Sequence, residues 1–195
     1  MADGNNQRLR SSEIWKQRSS NSGVGSRGDL AKYKIDFINN FIKENNIKNM
    51  IDFGCGDLQI ASRLEVEEYL GVDIVEHKHP SNIKSDKFET IVCRFDKLPR
   101  IEKAELCTCL DVFYHILSDE KKYLETAIQE IVDHSSKFII IYAQDSYRSE
   151  FNNWRGHMNN SPWRQIMEKY KLSLLFEQEE PQRGSSAKFF VYEIN

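Results

Sequence analysis

Residues 49–73 read NMIDFGCGDLQIASRLEVEEYLGVD. Met50, Ile51 and Phe53 make a short apolar run that stops at Gly54-Cys55-Gly56, as a strand buried on both faces does when it runs into a turn. Two glycines let the backbone bend sharply and leave room for a ligand to come close. Tyr69, Leu70, Gly71 and Val72 make a second strand that ends on Asp73, an acidic residue placed to accept hydrogen bonds from a ribose diol. The spacing predicts strand, glycine turn, short helix and strand, an α/β unit that takes a nucleoside. An ordinary turn between a buried strand and a helix would use the same two glycines, and the rest of the chain decides between the two.

A dinucleotide fingerprint needs a third glycine where Gln59 stands, and no Gly-Lys-Ser/Thr follows to cradle a pyrophosphate. Asp52-Phe53-Gly54-Cys55-Gly56 instead resembles the D/E-x-G-x-G motif of class I S-adenosylmethionine-dependent methyltransferases, with Leu58 where many members carry a further glycine. Residues 89–95 read as a third strand, and Asp96-Lys97-Leu98-Pro99 behind it is similar to the family segment whose acidic side chain accepts from the adenine amino group. Residues 104–112 read as a fourth strand, followed by Asp111-Val112-Phe113-Tyr114-His115-Ile116, which resembles the family's D-V-x-x-H-I/L signature.

The resemblance implies a three-layer Rossmann-like fold, with a seven-stranded, mainly parallel sheet and one antiparallel strand in a C-terminal hairpin. It implies S-adenosylmethionine as cofactor and S-adenosylhomocysteine as product, held by Asp52, Gly54, Cys55, Gly56, Asp73, Ile74, Asp96, Lys97, Leu98, Asp111 and Val112. Ligands in such sheets lie beyond the carboxyl ends of the strands, so Asp111 and His115 fall near the sulfonium and the acceptor. His115 is a candidate base, or a packed residue beside Phe113 and Ile116 that orders the loop.

A chain of 195 residues suits one such domain, expected over residues 29–195. Residues 1–28 read as a flexible basic arm carrying Arg8, Arg10, Lys16, Arg18 and Arg27 against Asp3 and Glu13, and ending in a glycine-rich loop. The start of the chain is polar and lacks the apolar core of a secretory signal, so a cytoplasmic location is expected. No apolar run approaches the ~20 residues needed to span a bilayer. The formal net charge of −3 argues against broad nucleic-acid binding. Cys107 and Cys109 share one side of a strand, and no second pair completes a metal site. His77 and His79 have metal-like spacing, but an exposed pair is expected, with no metal bound.

Asp29 is the expected cap of an amphipathic helix at 30–45, with Leu30, Tyr33, Phe37, Ile38, Phe41 and Ile42 on its apolar face. Ser118 is the expected cap of a helix at 119–133. Residues 137–142 (KFIIIY) read as a buried fifth strand. Ser161 is the expected cap of a helix with Pro162 at its first position. Strands at 172–178 and 188–194 close the chain as a hairpin.

In-line displacement at a methyl sulfonium needs positioning and, for a hydroxyl acceptor, a base. The long segment between the fifth strand and Trp163 carries Arg148, Trp154, Arg155 and His157. Arginines beside an aromatic wall suit a small anionic acceptor, and His157 has a suitable pKa for a base. His157, Arg155 and His115 are therefore the candidate catalytic residues. Three rival readings are a dehydrogenase, a nucleic-acid (RNA cap-type) methyltransferase and a non-catalytic S-adenosylmethionine-binding subunit. The Lys-Asp-Lys-Glu tetrad of 2′-O-methyltransferases has no lysine at the end of the fifth strand, where Tyr142-Ala143-Gln144 stand.

Overall fold

The computed structural model describes Glu13, Lys16 and residues 24–77, 88–116, 120–144, 161–179 and 187–195. Helix α1 (Gly28–Glu44) leads into β1 (Asn49–Phe53), the glycine turn and β2 (Glu68–Asp73). Then come β3 (Phe88–Val92), β4 (Ala104–Leu110), helix α2 (Lys121–Asp133) and β5 (Ser135–Gln144). Helix α3 (Trp163–Met167), β6 (Leu172–Glu179) and β7 (Ala187–Ile194) complete the described elements. The seven strands form one sheet in the order β3-β2-β1-β4-β5-β7-β6. β1 to β5 are parallel, and β7 runs antiparallel between β5 and β6.

The central strands are apolar and buried at most positions because helices cover both faces of the sheet. α2 and α3 bury Leu124, Ile128, Trp163 and Ile166 against Cys107, Cys109, Ile139 and Ile141. α1 buries Ile38, Phe41 and Ile42 against Met50, Leu106, Ile140 and Tyr142 on the other face. Cys107 and Cys109 are thus core residues. Among the described residues no helix is long and apolar enough to cross a membrane.

Several local expectations are corrected. α1 starts at Gly28 with Arg27 in the capping place, so Asp29 lies inside the first turn, where its charge suits the positive end of the helix. The helix expected after the glycine turn is a series of turns with one 3-10 turn at Ala61–Arg63. Leu58 prevents a helix there: its φ of 64° is left-handed, a conformation that does not propagate in L-residues. α2 begins at Lys121 rather than 119, with Glu120 in the capping place, and Ser118 lies outside the described residues. α3 starts after Pro162, and the buried Ser161 hydroxyl has no partner among the described residues, so it is not a cap. β3 stops at Val92, and Phe95 instead opens a 3-10 turn.

Candidate functional site

The parallel strands place their carboxyl ends on one edge, and most of the residues singled out above collect there. The glycine turn continues the β1–β2 ladder, with the Gly54 N–H donating to the Val72 carbonyl at 2.7 Å. Gly54 and Gly56 have φ values of 84° and 56°, which only glycine adopts freely. At Gly54 a Cβ would overlap Val112 Cγ2, whereas at Gly56 nothing lies within 4 Å. The Gly56 side of the turn therefore faces open space.

Asp73 ends β2 beside this turn. Its Oδ2 accepts from the Gly56 N–H at 2.9 Å and its Oδ1 from the Val75 N–H at 3.0 Å. Burial raises the Asp73 carboxyl above its ordinary range, and the two backbone N–H groups oppose the rise. The site thus joins an open turn, a backbone donor and a partly desolvated carboxylate. Ile74 follows directly. His77 is not exposed as expected: it is 16% exposed, with Nε2 4.0 Å from Asp73 Oδ1. His79 lies outside the described residues. No group of three or more His, Cys, Asp or Glu among the described residues could hold a metal.

Asp52 occupies a different setting. It is buried, with Oδ1 accepting from Thr108 Oγ1 at 2.6 Å and Oδ2 from the Tyr69 hydroxyl at 2.9 Å. It stitches β1 to β2 and β4. Burial pushes its carboxyl up to about 6, against the lowering effect of the two hydroxyl donors. A group raised in the folded state favours folding below its unfolded value near 4, and this stability is lost as pH rises through about 6. The displacement is worth at most about 3 kcal/mol. Asp52→Asn keeps one acceptor oxygen, turns the other contact into an amide N–H donated to a hydroxyl oxygen, and removes the titration. Its melting temperature relative to the wild type should therefore rise between pH 4 and pH 7 by several degrees. Parallel melting curves across that range would contradict the assignment.

Cys55 is part of the turn, and burial holds its thiol well above the ordinary range, so it is not a thiolate nucleophile. Asp96 lies in the 3-10 turn Phe95–Lys97 after β3, where Arg94 donates to it at 2.9 Å and lowers its carboxyl. Arg94 also lies over the Tyr123 ring, 4.2 Å from its centroid. Lys97 is exposed, and Leu98 packs against the α2 side of the core. These three share the strand edge with Gly56 and Asp73.

At the end of β4, Asp111 has a φ of 61°, and its N–H donates to the Tyr142 carbonyl at 2.8 Å. Its carboxylate is held twice, by the Lys34 ammonium and by the Tyr114 hydroxyl at 2.7 Å. Burial, then the Asp111 charge, holds the Tyr114 phenol well above its ordinary range, so it acts as a donor. Val112 packs against Gly54, which joins the β4 tip to the glycine turn. His115 closes the 3-10 turn Phe113–His115, with its ring 4.3 Å from that of Tyr114.

Sequence reading missed Lys34. It is fully buried on α1, within the stripe of Ala31, Ile35 and Ile38. A lysine in phase with that stripe was the available signal. His157 and Arg155 lie outside the described residues. The flanks of their segment are described: Trp163 Nε1 donates to the Gln144 carbonyl at 3.0 Å. Those two flanks therefore lie together at the carboxyl end of β5.

No family model matches the sequence, and no curated protein matches it. Solved structures do match in shape. Magnesium protoporphyrin IX methyltransferase from Synechocystis PCC 6803, with bound S-adenosylmethionine, is 14% identical with a TM-score of 0.70, over 97% of this chain and all of that one. The N-methyltransferase NodS from Bradyrhizobium japonicum WM9, in complex with S-adenosylhomocysteine, is 11% identical with a TM-score of 0.73, over 95% of this chain and 99% of that one. The methyltransferase domain of a bacterial Hen1 protein is 17% identical with a TM-score of 0.64, over 85% of this chain and 99% of that one. These likenesses show that the chain has the Rossmann-like methyltransferase fold, as the sequence motifs imply.

Proposed function

We propose that this chain is an S-adenosylmethionine-dependent methyltransferase acting on an oxygen or nitrogen of a small anionic acceptor. The observation that carries the reading is the pairing of Gly56 with Asp73: an open glycine turn and a ribose-accepting carboxylate, joined by one hydrogen bond of 2.9 Å. Solved structures of the same fold that hold S-adenosylmethionine or S-adenosylhomocysteine support it. In this reading Gly54, Cys55 and Gly56 line the cofactor's amino-acid end, Asp73 and Ile74 its ribose, and Asp96, Lys97 and Leu98 its adenine. Asp111 and Val112 face the reacting methyl. The acceptor's lone pair attacks that methyl carbon as the carbon–sulfur bond breaks, so the chain's task is alignment. An acceptor proton, where one must leave, passes to a base, for which His157 and His115 are the candidates.

The test is calorimetry with S-adenosylhomocysteine. Wild type should bind in the micromolar range or better, and NAD should not bind. Asp73→Ala leaves the ligand's hydroxyls unpaired and should weaken binding by about 1–3 kcal/mol. Gly56→Ala has room for its Cβ, so it should fold with a loss of only about 1–2 kcal/mol for the left-handed backbone while binding falls much further. Equal S-adenosylhomocysteine affinity in wild type and both variants would sink the assignment.

The acceptor reading rests on the segment after β5, whose two flanks meet through Gln144 and Trp163. The arginines there are suited to bidentate recognition of a carboxylate or phosphate. Arg155→Ala and His157→Ala should keep cofactor affinity and melting temperature, while each loses at least about 10²-fold of methyl transfer, the lower end for a general base. Transfer from labelled S-adenosylmethionine to extract fractions supplies the assay. Full turnover in both variants would place the acceptor elsewhere.

A further inference from the structure

The chain enters α1 across the site edge. Gly25 lies directly on the Asp111 carboxylate: a Cβ there would overlap Oδ2 and stand 3.2 Å from Lys34 Nζ. The Gly25 carbonyl accepts from the Lys34 ammonium at 3.0 Å. Two residues on, Arg27 pairs with Asp57 at 2.5 Å, immediately after Gly56. Residues 24–27 therefore form a strap that touches both halves of the site, the glycine turn through Arg27 and the β4 tip through Gly25.

Lys34 joins the strap to the sheet. Its ammonium is fully buried, lies 4.3 Å from the Tyr142 ring centroid, and donates to both the Asp111 carboxylate and the Gly25 carbonyl. A buried ammonium is tolerated only when it is paired and hydrogen-bonded, and the ring face adds to its stabilisation. Lifting the strap would take a carbonyl from Lys34 and uncover the Asp111 carboxylate at once. Asp111 also sits in a left-handed backbone conformation, which a non-glycine residue keeps only where its surroundings hold it there.

We infer that Lys34 locks the strap to the Asp111 tip, so that the cover beside the cofactor turn and the carboxylate at the acceptor end move as one unit. The inference rests on the S-adenosylmethionine reading for the identity of the ligand and stands on these contacts for the lock itself. A nucleoside that closes the strap on the glycine turn thereby sets Asp111 before an acceptor arrives.

Hydrogen exchange on the full chain tests this, first without ligand and then with S-adenosylhomocysteine. Gly25→Ala sets a methyl against the Asp111 carboxylate and so parts the strap from the β4 tip. It should speed exchange about tenfold or more both in the strap and in residues 111–115, leaving β5 and α2 at the wild-type rate. Lys34→Met should do the same from the other side of the contact, and the double variant should add little, because both remove one interaction. S-adenosylhomocysteine should slow exchange in both segments together in the wild type. A Gly25→Ala protein that frees the strap while residues 111–115 keep the wild-type rate overturns the lock. If S-adenosylhomocysteine protects nothing and gives no binding heat, the cofactor reading fails, and the ligand-free comparison still decides the lock. If it protects the glycine turn while the two segments respond separately, the lock fails and the cofactor reading stands.

Discussion

Asp111→Asn should lower the unfolding free energy by about 3 kcal/mol, the cost of leaving a buried charge without its partner. Lys34 has no exposed surface, so its ammonium cannot turn to water. The lower end of the usual range applies because the Asp111 side chain is 23% exposed. Asparagine keeps the shape and tolerates the left-handed backbone, so the substitution isolates the charge. Adding Lys34→Met removes the orphaned ammonium and should recover most of the loss. Urea denaturation of the two single variants and the double variant measures the coupling. A neutral Asp111→Asn, with no recovery in the double variant, would mean that the pair contributes nothing to stability.

Gly54→Ala should cost about 2–5 kcal/mol, from the left-handed backbone and the overpacking together. The added Cβ would occupy the place of Val112 Cγ2. Either the turn or the β4 tip must move, so the variant should lose cofactor binding along with stability. Val112→Ala should relieve the clash and restore part of the melting temperature of Gly54→Ala. Gly56→Ala is the control, since its Cβ meets no atom within 4 Å. Equal melting temperatures for the two alanine variants would show that the Gly54–Val112 contact is unimportant.

What could be read from the sequence follows from burial. β1, β4 and β5 are mostly apolar and mostly buried because both faces of the sheet are covered, and a glycine pair at the end of such a run can hardly be anything but a turn. Asp73 was legible for the same reason, being the first polar residue after Val72. Leu58 was not. Its left-handed conformation is sustained by complete burial of its side chain beneath α1, and nothing local in the sequence marks a leucine for that role. Lys34 escaped because lysine is ordinarily assigned to solvent. Only the phase of the α1 stripe places it inside, and only the tertiary structure brings Asp111, 77 residues away, to meet it. The weakness of the α1 cap was also invisible, since Asp29 is a good capping residue type that stands two positions after the capping place.

The placement of β7 between β5 and β6 has a consequence for how the protein is made. β5 ends at Gln144, while the strand that completes its ladder begins at Ala187. Throughout translation of the intervening chain, Phe138, Ile139, Ile140, Ile141 and Tyr142 carry a bare row of N–H and C=O groups on one side. An uncharged, β-branched strand with an open edge is the kind of segment that pairs with a neighbouring nascent chain. Lys137 guards one end of the run, and no charge guards the other before Asp145. This stretch stays open to such pairing until Ala187–Ile194 emerges and completes the ladder.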